Sequence, residues 1–137
     1  MVYVFDSSFI GALIIPDEYD PRVTKMCDGI KNEDEKMAPH LIWYEIANIF
    51  MNLTRRKRYS FEDVNKLFPF LAAIRLTTDF ETGPVYTEKL LRLCNEYNIS
   101  SYDAAYLELA GRKKAVFCTM DENLRIAAKK YGVVALK

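Results

Sequence analysis

The stretch Val2-Tyr3-Val4-Phe5-Asp6-Ser7-Ser8-Phe9-Ile10-Gly11-Ala12-Leu13-Ile14-Ile15-Pro16 decides how the chain is read. Val2–Phe5 is a short apolar run suited to a strand buried on both faces. Asp6 ends it. Ser7–Ile15 then reads as a helix that Pro16 stops, since proline disrupts the ladder of a continuing helix. The same stretch lacks a basic leading segment and is broken by an acid, so neither a signal peptide nor a membrane span is expected.

Working outward, short strands and helices alternate along the chain. Pro21 suits the first turn of a helix reaching about Asn32. Lys36–Ala38 is a weak strand before Pro39, and Leu41–Arg56 is a strong helix. Ser60 is placed to cap Phe61–Ala73. Ile74–Thr77 reads as a strand. Gly83-Pro84 opens a helix to Tyr97, and Ser100 or Ser101 caps another to Arg112. Ala115–Cys118 is a strand, Glu122–Tyr131 a helix, and Val133–Leu136 a last strand. This alternation predicts an α/β fold with a mainly parallel sheet of about five strands, covered by helices on both faces. The 137 residues suffice for one domain spanning 1–137 with a sizeable core.

Composition narrows the chemistry. Charged residues make up 28%, the net charge is zero, and the sequence pI is about 6.6. A protein held to nucleic acid mainly by phosphate contacts is usually basic, so any such role must use a local basic patch or metal ions. Three cysteines at wide spacing suit neither a disulfide framework nor a thiolate zinc site, and a reducing cytoplasm is the default setting. A single histidine, His40, leaves no basis for a His-rich metal site or a His-based triad. The first strand is followed by no G-x-G-x-x-G, and there is no P-loop lysine. A phospho-receiver would want an aspartate where this chain has Pro39-His40. A haloacid-dehalogenase-type phosphatase would want one at Ser8.

Four acids stand out: Asp6, Glu45, Asp103 and Asp121. Each lies where a strand or turn gives way to a helix, and in open α/β sheets such junctions beyond the strands' carboxyl ends form sites. On a helical wheel of Leu41–Arg56, Ile42, Ile46, Ile49 and Leu53 make a narrow stripe, and Glu45 borders it. On Ser101–Arg112, Tyr102, Tyr106, Leu107, Leu109 and Ala110 make the apolar side, and Asp103 falls between Ala110 and Leu107. A carboxylate facing a core is costly unless paired, and a divalent cation is an economical partner. Asp6 and Asp121 also suit simple N-caps, Asp103 stands at a capping-box position, and Glu45 gains from a helix dipole.

Together these residues resemble the PIN domain, in particular the VapC-type ribonuclease toxins. Val4-Phe5-Asp6-Ser7-Ser8 looks like the family's first motif, and Trp43-Tyr44-Glu45-Ile46-Ala47-Asn48 resembles the second. Ser101-Tyr102-Asp103-Ala104-Ala105-Tyr106-Leu107 closely matches the third, and Cys118-Thr119-Met120-Asp121-Glu122-Asn123-Leu124 matches the fourth. The resemblance implies a three-layer α/β/α, PIN-like domain and a Mg²⁺- or Mn²⁺-dependent endoribonuclease. It also implies a homodimer, a small VapB-type antitoxin as partner, and RNA as substrate. By carry-over, Asp6, Glu45, Asp103 and Asp121 form the catalytic site, and Ser8 and Thr119 support it by hydrogen bonding.

The expected division of labour is that Asp6, Asp103 and Asp121 hold metal, directly or through water. Glu45 orients or deprotonates the attacking water, or completes a second metal site. Carboxylates without His or Cys suit a hard cation. Arg55, Arg56 and Arg58 could guide the RNA backbone, or simply end a helix favourably. Phe61, Leu67, Phe68 and Leu71 leave one helix apolar enough for core or for a dimer and antitoxin surface. Two other readings remain: a PIN nuclease of RNA processing with no toxin role, and a non-catalytic module whose acids only hold metal or a partner.

Overall fold

The computed structural model describes residues 1–136. Strand β1 (Val2–Phe5) leads into α1 (Ser7–Ile14), a 3-10 turn (Pro16–Glu18) and α2 (Pro21–Cys27). Next come β2 (Glu35–Pro39), α3 (Leu41–Arg55), α4 (Phe61–Asn65) and α5 (Phe68–Ile74). Strand β3 (Thr77–Asp79), α6 (Pro84–Tyr97), α7 (Ser101–Lys113), β4 (Val116–Cys118) and α8 (Glu122–Tyr131) complete the order.

The sheet runs β3-β2-β1-β4 with every pair parallel. The chain moves outward from β1 to β2 and β3, then returns to lay β4 on the other side of β1. Right-handed crossovers therefore put α1–α5 on one face and α6–α8 on the other. The packing agrees: α1 meets α3 and α5, while α7 lies against α6, α8, β1, β2 and β4. Reversal of direction makes a switch point between β1 and β4, the place beyond the strand ends where open α/β sheets commonly bind ligands. The register pairs Phe5 with Cys118, Val4 with Met37, and Pro39 with Asp79. Carried one residue further, it sets Asp6, Pro39, Asp79 and Thr119 in one row along that edge.

The α/β reading holds with differences in detail; helix α2, expected to reach about Asn32, ends at Cys27. The fifth strand is reduced to one parallel bridge, Phe117 to Ala135, held by Phe117 N–H to Val134 O at 2.8 Å and Leu136 N–H to Phe117 O at 3.0 Å. The expected helix Phe61–Ala73 is two helices, because Pro69 removes a donor and its ring crowds the carbonyl four residues back. That carbonyl belongs to Asn65, the last residue of α4. Strand β3 starts at Thr77 instead of Ile74, since α5 runs to Ile74 and Arg75 ends it in the left-handed region. Two glycines shape the setting of α8. Gly132 closes α8 at φ +89°, and a Cβ at Gly111 would stand 2.8 Å from the Tyr131 ring, where α7 and α8 meet.

The inward face of α7 contributes Ala104, Tyr106, Leu107, Leu109 and Ala110 to the core, with Val4, Ile42 and Phe117 around them. Glu108 is also buried. Arg112 answers it at 2.8 Å, one turn on, and reaches Asp79 at 2.7 Å at the end of β3. This triad fastens α7 to the sheet edge. The Arg112→Met variant leaves both acids without a partner. It should lower unfolding free energy by about 2–3 kcal/mol, beneath the usual range for buried pairs because Arg112 is 28% exposed. Urea denaturation would show a lower midpoint at unchanged slope.

Candidate active site

Asp6 stands one residue past β1, and burial leaves it only 4% exposed. Its carboxylate is held from three sides. Phe9 N–H donates to Oδ1 at 2.9 Å, the Ser8 hydroxyl donates to Oδ1 at 2.7 Å, and the Thr119 hydroxyl donates to Oδ2. The first bond is the N-cap of α1, so capping and site membership are one and the same contact. Thr119 is fully buried just past β4 and also accepts the Asp121 N–H at 3.0 Å. Asp121 in turn caps α8 through Leu124 N–H at 3.1 Å. Ser8 accepts the Met120 N–H at 3.0 Å. Ser8 and Thr119 thus join the ends of β1 and β4 into one hydrogen-bonded block.

Asp103 comes to this block from α7. Ser100 caps that helix by accepting the Asp103 N–H at 3.1 Å, without the reciprocal carboxylate bond that Asp63 makes at Ser60. Glu45 comes from the second turn of α3, half-buried, and its Oε1 accepts the Tyr106 hydroxyl at 2.5 Å. Helices from both faces therefore reach over the strand ends to one place.

The electrostatics record this convergence. Burial pushes the Asp6 carboxyl above its ordinary value, against the pull of Thr119, Ser8 and Phe9, and the Asp103 charge adds to the rise. Burial also raises Asp103, with Asp121 adding to it. Glu45 is raised by burial and by the charges of Asp6 and Asp103, with the Tyr106 bond opposing. Among the described residues, none of the four acids takes part in an ion pair with Lys or Arg. The guanidinium of Arg125 is turned instead to the Thr119 carbonyl at 3.0 Å and to Glu122 at 2.8 Å.

A family model for the PIN domain matches residues 3–130. The chain belongs to the PIN domain family. PIN domains are generally metal-dependent nucleases. Solved structures share the fold. PAE2754 from Pyrobaculum aerophilum is 23% identical at a TM-score of 0.68, over 99% of this chain and 92% of that one. FitAcB from Neisseria gonorrhoeae is 16% identical at 0.69, over 100% and 97%. VapBC2 from Rickettsia felis, bound to a DNA fragment from their promoter, is 13% identical at 0.67, over 100% and 98%. No curated protein matches the sequence.

This PIN domain offers a hard cation the right donors, carboxylate oxygens with no competing thiolate or imidazole. Yet among the described residues no three acids, histidines or cysteines converge on a single ion-sized point. The reason is visible: Asp6, Glu45 and Asp121 are each turned to a protein donor. Mg²⁺ keeps several waters and commonly takes only one or two carboxylates directly, so the set fits a largely hydrated ion.

The structure gathers Asp6, Glu45, Asp103 and Asp121 with Ser8 and Thr119. It does not bring the basic run there. Arg55 lies ten residues along α3 from Glu45, roughly 15 Å at 1.5 Å per residue. Arg58 is engaged by Asp17 at 3.1 Å and Glu18 at 3.8 Å. Tyr102, expected on the apolar side of α7, is 64% exposed. Buried Glu108 is absent from the expected set, although its i,i+4 spacing to Arg112 is a readable signal. Tyr106, expected in the core, also bonds a site carboxylate. Nothing in the sequence pairs Tyr106 with a residue 61 positions away.

The raised carboxyls fix the sign of a pH effect. The ordinary values are 3.8 for aspartate and 4.5 for glutamate. Above them the native state retains protons that the unfolded chain has lost, so this contribution to stability is fullest at low pH and falls as pH rises through the raised values. Asp103→Asn should therefore become more stable than wild type as pH increases from about 4 to 7 in chelator. Addition of Mg²⁺ should erase the difference. Thermal melts across pH, with and without the ion, measure both.

Proposed function

We propose that this PIN domain is a Mg²⁺- or Mn²⁺-dependent endoribonuclease, the toxin of a VapBC-type pair. The observation that supports it most is the unpaired, mutually coupled acid cluster at the β1/β4 switch point. Such a cluster has a use where positive charge and a phosphodiester meet. Asp6, Asp103 and Asp121 would hold the ion, directly or through its waters. When bound, it lowers the pKa of coordinated water and offsets charge on phosphoryl oxygens.

The chain's own groups do the rest. Ser8, Thr119 and the Phe9 amide keep Asp6 from swinging away. Ser100 sets the first turn of α7 and so the position of Asp103. Glu45 takes a proton from the attacking water as the water oxygen bonds to phosphorus, while the bond from phosphorus to the leaving ribose oxygen breaks and that oxygen takes its proton from solvent. A general base must lie within hydrogen-bond reach of that water, and Glu45 borders the same group of acids.

RNA is the proposed substrate. Tracking its backbone along α3 would bring phosphates to Arg55 and Arg56. The exposed strip of Met51, Phe61 and Phe68 on α3–α5 suits a covering VapB-type antitoxin, and a homodimer is the proposed assembly. No helix among the described residues is long and apolar enough to cross a membrane, which agrees with a proposed cytoplasmic setting. The second reading is a binding module whose acids hold metal or a partner without catalysis. The assay separates them.

Purified protein should cleave RNA with Mg²⁺ or Mn²⁺ and stop with EDTA. Asp103→Asn and Asp6→Asn should each lose about 100-fold or more, the scale of a missing charge-stabilising group. DNA is the parallel substrate. Equal metal-dependent rates in wild type and both variants would sink the assignment.

A further inference from the structure

We propose that Tyr106 is a positioning residue: it anchors one oxygen of Glu45, so that the other is presented to the attacking water. The proposal rests on the nuclease reading above and assigns a role within it.

The two side chains differ in freedom. Tyr106 is 1% exposed, its ring 6.4 Å from that of Phe117 and tilted by 32°. Ala104, Ala105 and Leu107 beside it are equally shut away. A ring so enclosed has no second rotamer to visit, because protein interiors are packed to crystal-like density. Glu45 stands half-buried on α3, between Tyr44, which is exposed, and Ile46, which is not. Its flexible stem has several staggered states open to it. The rigid partner therefore fixes the mobile one. A general base misplaced by about 1 Å loses on the order of 100-fold in rate, so such fixing matters to chemistry.

The hydroxyl has no packing purpose. Phenylalanine would fill the same space against Phe117. The phenol spends its one proton on Glu45 Oε1, from α7 on one face of the sheet to α3 on the other. Among the described residues no other donor reaches the Glu45 carboxylate, which leaves Oε2 uncommitted. Asp6, by contrast, has donors on both oxygens. One acid is locked to hold, and the other is half-locked to act.

The test compares wild type, Tyr106→Phe, Glu45→Ala and the double variant in Mn²⁺-dependent RNA cleavage, with Asp103→Asn as the metal-site control. Tyr106→Phe should cut kcat by about 10- to 100-fold with KM unchanged. In the Glu45→Ala background the same change should cost nothing further, since the hydroxyl acts through Glu45. Mn²⁺ affinity by calorimetry should stay within about twofold in Tyr106→Phe, well under a tenfold, 1.4 kcal/mol effect. A wild-type rate in Tyr106→Phe, a loss confined to KM, an equal loss in the Glu45→Ala background, or a matching loss of Mn²⁺ affinity overturns the proposal. Should Tyr106→Phe not fold, Glu45→Asp draws the carboxylate away from the phenol at a half-buried position. It should lose kcat alone, and a wild-type rate there also overturns the idea. Absence of metal-dependent cleavage by wild type removes the nuclease reading itself, a result distinct from all of these.

Discussion

A carboxylate in the interior is the constraint on which this structure turns. Burying an ion costs several kcal/mol unless donors and a counter-charge meet it. Asp6 obtains donors from its own helix entrance and from Thr119, beyond a strand far along the chain. To satisfy it, β4 has to lie beside β1 in one register. That register delivers Asp121, and the helix before β4 delivers Asp103. The fold's central strand pair and its acid cluster are thus solutions to the same electrostatic requirement. The donors do not discharge it fully: burial still holds the Asp6 carboxyl above its ordinary value, and the Asp103 charge adds to the rise. The residual repulsion is the part of the design that points beyond the protein.

Much of this could be read from residue order. Helix α8 has the expected bounds, and α6 and α7 come within a residue of theirs, because Gly83-Pro84, Ser100, Asp121 and Gly132 punctuate them with specific backbone chemistry. The inward lean of Glu45 and Asp103 followed from helical periodicity alone. What failed was what periodicity does not carry. Pro69 sat inside an apolar pattern strong enough to suggest one helix. Tyr102 shared a wheel sector with buried neighbours but is exposed at the second position of α7, two residues before Ala104, where burial begins. A strand after Gly132 was correctly oriented, yet it pairs through one bridge. Tyr106 and Glu45 could not be joined in advance, since contacts between faces of a sheet depend on crossover geometry that no local pattern encodes.

The two kinds of acid at the edge also differ in how they are held. Asp6 and Asp121 belong to strand-to-helix turns, where backbone amides fix them. Asp103 and Glu45 ride on helices whose placement depends on packing and on the Glu108–Arg112–Asp79 triad.

The bond from Thr119 to Asp6 joins residues 113 positions apart. Synthesis proceeds from the amino end, and a domain generally folds as a unit. Until β4 and the entrance of α8 have been made, β1 lacks its β4 neighbour, and Asp6 lacks both Thr119 and Asp121. A nascent chain that stops short of them carries no assembled acid cluster. Topology alone thus defers the completed site until β4 and the entrance of α8 have left the exit tunnel.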